Sequence, residues 1–169
     1  MSDQIKNQDE ILQKMGIEQL NPMQKKAIEA INSSKEILIL SPTGTGKTLA
    51  FLLPLIKMLD PHSSQTQLMI LVPARELAIQ IEQVIRDMGT GFKVNAVYGG
   101  RSGAKEKIEL THAPSILVGT PGRVADHIRR DRITLHDIKS LVIDEFDKSL
   151  EIGFEKEMKE IVSALSSLE

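Results

Sequence analysis

The sequence predicts an α/β fold, a mostly parallel, open twisted sheet with helices on both faces. Three observations predict it. Short apolar runs rich in Ile, Leu and Val recur at residues 37–40, 68–72, 94–97, 116–118 and 141–143, as strands buried on both faces should read. Stretches with helical spacing separate them, and that alternation belongs to parallel sheets with crossover helices. Each run also ends in a polar turn. Ligands of such sheets bind beyond the carboxyl ends of the strands, so all five turns are expected to gather along one edge.

The elements follow in order. Asn21 can cap a helix over residues 21–31, with Pro22 at its first position and Met23, Ala27, Ala30 and Ile31 along one face. The first strand, 37–40, leads into Ser41-Pro42-Thr43-Gly44-Thr45-Gly46-Lys47-Thr48. The helix-forming stretch 49–59 comes next, with a kink expected at Pro54. The polar segment 60–67 reads as a surface connection. Further helices are expected at 74–88, 103–110, 124–130 and 154–165.

At 169 residues the chain is long enough for one domain with a full core, and its 41% hydrophobic and 26% charged residues match an ordinary globular protein. No apolar run approaches the roughly 18 residues of a membrane span. Residues 1–6 are polar and lack a secretory apolar stretch. The absence of cysteine excludes disulfides and thiolate metal sites, and fits a cytoplasmic protein. With a net charge of −2, any nucleic-acid surface must be a local patch.

Strand, glycine loop ending in Gly-Lys-Thr, then helix is an arrangement that cradles nucleoside triphosphates. Glycines at 44 and 46 let backbone N–H groups approach phosphate oxygens, Lys47 can neutralise the β- and γ-phosphates, and the Thr48 hydroxyl can ligate Mg²⁺. Ser41 stands where the general pattern opens with Gly. The alternative is an ordinary glycine turn, and the flanking strand and helix argue against it. At the end of the fifth strand stand Asp144-Glu145-Phe146-Asp147. Asp144 can hold Mg²⁺ through its water shell opposite Thr48, and Glu145 can polarise an attacking water. Alternatively Asp144 caps the next helix and Glu145 is solvated; beside a phosphate loop the catalytic reading prevails.

Three other turns carry one arginine each: Pro73-Ala74-Arg75-Glu76, Tyr98-Gly99-Gly100-Arg101 and Gly119-Thr120-Pro121-Gly122-Arg123. Backbone N–H groups exposed by glycine, together with arginine charge, suit a nucleic-acid backbone. Equally weighted is an internal role, with Arg75 paired to Glu76 or Glu82 and the glycines serving only the turns. Only 3% of the residues are aromatic, so base stacking cannot be the main binding mode.

Together these segments resemble the DEAD-box RNA helicases, specifically the first of their two RecA-like domains, over almost the whole chain. Residues 16–24, Gly-Ile-Glu-Gln-Leu-Asn-Pro-Met-Gln, are similar to the Q motif, which implies that Gln24 reads adenine. Residues Ser41, Thr43, Gly44, Thr45, Gly46, Lys47 and Thr48 match motif I, the ATP phosphate site. Pro73 and Arg75 fall in motif Ia, and Gly99, Gly100, Arg101, Thr120, Gly122 and Arg123 fall in the RNA-binding turns. Asp144, Glu145 and Asp147 occupy motif II, which implies metal binding, catalysis and coupling to the second domain respectively.

The resemblance implies a flank at 1–35 with the Q-motif-like segment, a RecA-like ATP-binding domain at 36–169, and ATP and Mg²⁺ as cofactors. It implies RNA and a second RecA-like domain as partners, in a chain that is monomeric and cytoplasmic. Asn21 stands where the family has Ser or Thr, Phe146 where it has Ala, and no adenine-stacking aromatic precedes Gly16. The sequence ends at Glu169 before a Ser-Ala-Thr motif, so the resemblance implies a fragment that hydrolyses ATP very slowly alone. In relatives the strand ending in that motif lies between those of 37–40 and 141–143, and its absence would leave two buried rows of backbone groups unpaired. One of three outcomes is expected: the sheet closes across the gap, a neighbouring chain donates a strand, or the sequence lacks residues present in the molecule, the last being favoured. Two other readings are a nucleotide-dependent RNA clamp without turnover and a DNA helicase of the same superfamily. The Q-motif-like segment and Thr-Pro-Gly-Arg favour RNA.

Overall fold

The computed structural model describes residues 7–165. The polar N-terminal residues 1–6 discussed above lie outside the described residues. The chain divides into two compact units, one running up to Pro61 together with Ile85–Gly91, the other His62–Val84 together with the residues from Phe92 onward.

The first unit is helical. Helix α1 (Gln8–Lys14) and helix α2 (Pro22–Ser33) each begin at an asparagine, Asn7 and Asn21, in a reciprocal capping box with Glu10 and Gln24. The side-chain oxygen takes one orphan backbone N–H at the helix start while the third residue's side chain takes another. Helix α3 (Lys47–Lys57) starts directly after the glycine loop and continues through Pro54, burying Leu49 to Ile56. The strand expected at 37–40 does not form: the segment pairs with no strand among the described residues, and Leu38 and Leu40 are 79% and 86% exposed. An apolar run sets only a tendency toward extended structure. Pairing partners decide whether it becomes a strand.

The second unit holds a four-stranded parallel sheet in the order β2-β3-β1-β4, built from β1 (Leu68–Leu71), β2 (Val94–Val97), β3 (Ile116–Gly119) and β4 (Ser140–Ile143). These are four of the five predicted strands. Leu68 stands beside Ile116 on one side and Ser140 on the other, which fixes the register of the centre. The inner strands β1 and β3 are wholly buried, as is edge strand β2, whereas edge strand β4 is only half-buried. Met69, Leu71 and Leu117 pack with Val124, Ala125, Ile138, Met158 and Ile161 into the core of one sheet face.

Helices α4 (Arg75–Met88), α5 (Gly103–Glu109), α6 (Pro121–Arg129) and α8 (Glu155–Ala164) follow the helical spacing of the sequence; the last turn of α4 falls in the first unit. Helices α1 and the short α7 (Phe146–Ile152) were not expected from it. Gly119 ends β3 where a Cβ would collide with Val124, Val97 and the Val97 carbonyl, so only glycine lets α6 start this close to β2. Among the described residues no helix is long and apolar enough to cross a membrane.

Candidate functional site

Within the first unit the glycine loop is a fold of short local hydrogen bonds. Gly44 and Gly46 take φ of 78° and 84°, the left-handed region that glycine enters without steric cost. The Ser41 and Thr45 hydroxyls lie 2.6 Å apart, and Thr45 Oγ1 donates to the Pro42 carbonyl at 2.9 Å. The Lys47 ammonium donates to the Ser41 carbonyl at 2.6 Å. That carbonyl is a place-holder a phosphate oxygen can displace, since an ammonium gains more from an anion than from a neutral acceptor. Thr43 is exposed, Thr48 half-buried, and both stand on or beside the loop.

The Q-motif-like segment is fastened to this loop. Asn21 Nδ2 donates to the Thr45 carbonyl at 3.0 Å, and Gln24 Nε2 to the Gly46 carbonyl at 3.3 Å. A Cβ at Gly46 would collide with Gln24 Nε2. Gln24 Oε1 meanwhile accepts from the Asn21 N–H at 2.9 Å. A glutamine amide has two N–H donors and two acceptor lone pairs, so one of each remains.

In the second unit four turns lie at the carboxyl ends of the parallel strands, and so at one edge of the sheet. The fifth, the phosphate loop, belongs to the other unit. Asp144 extends the β4–β1 ladder, its N–H donating to the Leu71 carbonyl at 3.0 Å, and its Oδ1 accepts from the Glu145 N–H at 3.0 Å. Glu145 sits at φ 51°, a conformation that costs a non-glycine residue roughly 1–2 kcal/mol. Its carboxylate accepts from Lys148 Nζ at 3.0 Å, and this contact pushes the Lys148 ammonium above its usual range. Asp147 is exposed on the first turn of α7.

The three arginines divide. Arg75 is exposed and pairs with the equally exposed Glu76 at 2.7 Å, a contact that raises Arg75 and lowers Glu76. Such a pair is worth little and opens readily. Arg101 donates to the Ala96 carbonyl at 2.9 Å and Glu109 at 2.8 Å, with its guanidinium 5.4 Å from the Tyr98 ring centre. Arg123 reaches Glu106 at 2.7 Å and Asp126 at 3.3 Å. The backbone N–H groups of exposed Gly99 and Gly100 and half-buried Gly122 have no partner among the described residues. Pro73 and Thr120 are buried beneath their turns.

Sequence reasoning missed Glu106 and His127, both fully buried, with His127 Nε2 2.8 Å from Glu106 Oε2. Helical spacing carried the signal. Glu106 shares a face of α5 with Leu110, and His127 lies on the stripe of Val124 and Ile128. Burial holds His127 below its ordinary value, outweighing the hydrogen bond to Glu106. Its Nδ1 has no partner among the described residues, which fits a neutral ring carrying its proton on Nε2.

The order of these turns along the chain matches a known family: residues 21–169 fit the DEAD/DEAH box helicases. The chain belongs to that family. It is 37% identical to the DEAD-box ATP-dependent RNA helicase CshA of Bacillus subtilis over 92% of its own length and 32% of the relative's. With the ATP-dependent RNA helicase DeaD of Escherichia coli it shares 36% identity over 92% of its length and 25% of the relative's. A third relative, the probable ATP-dependent RNA helicase YfmL of Bacillus subtilis, is 38% identical over 87% of the chain and 40% of the relative. The chain thus spans well under half the length of the relatives it matches. In this helicase domain, no group of three His, Asp or Glu residues among the described ones could hold a metal ion. Mg²⁺ needs none, because it keeps several waters and takes one or two protein oxygens plus phosphates.

Proposed function

We propose that the chain is the ATP-binding domain of an ATP-dependent RNA helicase, whose whole protein couples ATP binding and hydrolysis to duplex unwinding or remodelling of RNA–protein complexes. The observation that carries this reading is the phosphate loop, with Gly44 and Gly46 left-handed, Lys47 and Thr48 opening α3, and Gln24 tied to the Gly46 carbonyl. Lys47 leaves the Ser41 carbonyl for the β- and γ-phosphates. The loop N–H groups and the start of α3 take the remaining phosphate charge. The spare N–H and lone pair of Gln24 match the N7 acceptor and N6 donor of adenine. The Thr48 hydroxyl would ligate Mg²⁺ and Asp144 would hold it through its water shell, and the ion would supply charge neutralisation on the phosphates. Glu145 orients the attacking water and takes its proton.

RNA is held through its sugar–phosphate backbone, by Arg75 and by the N–H groups of Gly99, Gly100 and Gly122. Pro73, Arg101, Thr120 and Arg123 shape these turns, and Asp147 couples to a second RecA-like domain. The experiment is RNA-, DNA- or nucleic-acid-free ATPase of this domain joined to a second RecA-like domain. Stimulation by RNA alone, abolished by Glu145→Gln with ATP binding kept, is expected. Equal stimulation by DNA contradicts the RNA assignment, and turnover by Glu145→Gln contradicts the role of Glu145.

A further inference from the structure

The most unusual group in the second unit is the Glu106 carboxylate. It is fully buried and serves three partners from two turns. Its Oε1 accepts from the Tyr98 N–H at 3.4 Å, directly before Gly99 and Gly100. Its Oε2 accepts from Arg123 Nε at 2.7 Å and from His127 Nε2 at 2.8 Å, both on α6, whose first turn carries Gly122. One carboxylate therefore ties the turn after β2 to the turn after β3. Breaking a buried ion pair by removing one partner is costly, and the Arg123 guanidinium is the partner of this carboxylate at 2.7 Å.

The charges facing this group balance locally. Asp126 takes a second nitrogen of Arg123 at 3.3 Å and also accepts from Arg130 at 2.8 Å. His127 is neutral, with burial holding it down and the Arg123 and Arg132 charges adding to that effect. The Arg101–Glu109 pair lies about one turn further along α5, at 2.8 Å. Arg123, only 20% exposed, has its charge spent inside the protein, while Arg75, 63% exposed, does not.

We propose that Glu106 is a positioning residue for nucleic-acid binding. By gripping Tyr98, Arg123 and His127 it holds the two glycine turns in one register, so that phosphates meet the N–H groups of Gly99, Gly100 and Gly122 rather than the Arg123 guanidinium. The inference rests on the proposed RNA-binding function of these turns, and it assigns Arg123 an internal task. It separates the arginines into one that touches phosphate, Arg75, and one that shapes the surface.

Two measurements test it. The first needs no RNA: amide hydrogen exchange in the wild type, Glu106→Gln and Glu106→Ala. Glu106→Ala should speed exchange at Tyr98 and at Arg123 and Val124 together, leaving Ile70 in β1 protected. Glu106→Gln, which keeps an acceptor oxygen, should lie between. Faster exchange at only one of the two turns overturns the coupling. The second is the salt dependence of binding to single-stranded poly(U). Arg75→Ala should lower the log–log slope by about 0.7, one phosphate's worth. Arg123→Ala and Arg123→Lys should both weaken binding about tenfold with the slope unchanged, because Lys keeps the charge but not the planar fork. A slope lowered by Arg123→Ala, or full affinity in Arg123→Lys, shows direct phosphate contact and overturns the proposal. A wild type that binds no RNA at low salt instead overturns the proposed function, and the exchange result then stands by itself on whether the turns are coupled.

Discussion

Lys47 in the phosphate loop rests on one carbonyl oxygen, whereas Arg123 in the turn after β3 is held by two carboxylates. Both are cations placed by a helix start and glycine. The difference teaches that a cation's motif does not reveal whether its charge is available. Lys47 is half-buried beside Gly44 and Gly46 and has a neutral partner, which an anion can replace. Arg123 is locked to a buried carboxylate, and removing either leaves the other charged in a medium of low dielectric.

The largest effect that sharpens this comparison is on stability. Glu106→Ala should cost about 3 kcal/mol, the low end for breaking a buried pair because Arg123 keeps some solvent contact. Against a domain's typical stability of roughly 5–15 kcal/mol the loss is plain in chemical denaturation. A cost below about 0.5 kcal/mol, the range of an ordinary surface change, would falsify the view that this carboxylate organises the unit.

Gly46→Ala strikes the loop instead. Its φ of 84° strains any L side chain and its Cβ would collide with Gln24. The strain alone is roughly 1–2 kcal/mol. Calorimetry should show nucleotide affinity falling by at least about tenfold, equivalent to about 1.4 kcal/mol. Unchanged affinity would mean that the Gln24–Gly46 contact is incidental.

Acid should act on the Glu106 cluster through His127. Its folded value is depressed below 6.5, so the unfolded chain binds the proton more readily as pH falls. The stability contribution is complete above the unfolded value and is lost as pH falls from there through the folded one. Thermal unfolding between about pH 7.5 and pH 5.5 should therefore show a decline that is shallower in His127→Gln. An equal decline in both proteins would assign it to other groups. The smallest effect belongs to Arg75→Ala, which breaks only an exposed pair and should leave the denaturation midpoint essentially unchanged. A lowered midpoint would show that Arg75 has a structural task.

Where burial and local chemistry agree, the sequence was readable. The runs at 68–72, 94–97, 116–118 and 141–143 became strands because each finds partners in one sheet, and Asn21 capped the helix beginning at Pro22. The run at 37–40 did not, because pairing is a non-local property that four apolar residues cannot display. The Asn7–Glu10 capping box was present in the sequence, yet α1 went unrecognised because it is only seven residues long. Of the site, the phosphate loop was legible because its glycines and Lys47 act locally. The internal engagement of Arg101 and Arg123 was not, because Glu109 and Glu106 meet them through tertiary packing. A charged residue on an otherwise buried helix stripe, as at Glu106 with Leu110, was the one available clue.

The most direct test of the account is titration calorimetry of ADP and GDP, with Mg²⁺, into the wild type, Lys47→Ala and Gln24→Ala. Binding by the wild type with ADP preferred over GDP is predicted, together with loss of both affinities in Lys47→Ala and loss of only the preference in Gln24→Ala. No binding by the wild type, or undiminished binding by Lys47→Ala, would contradict the claim that this loop is a nucleotide site.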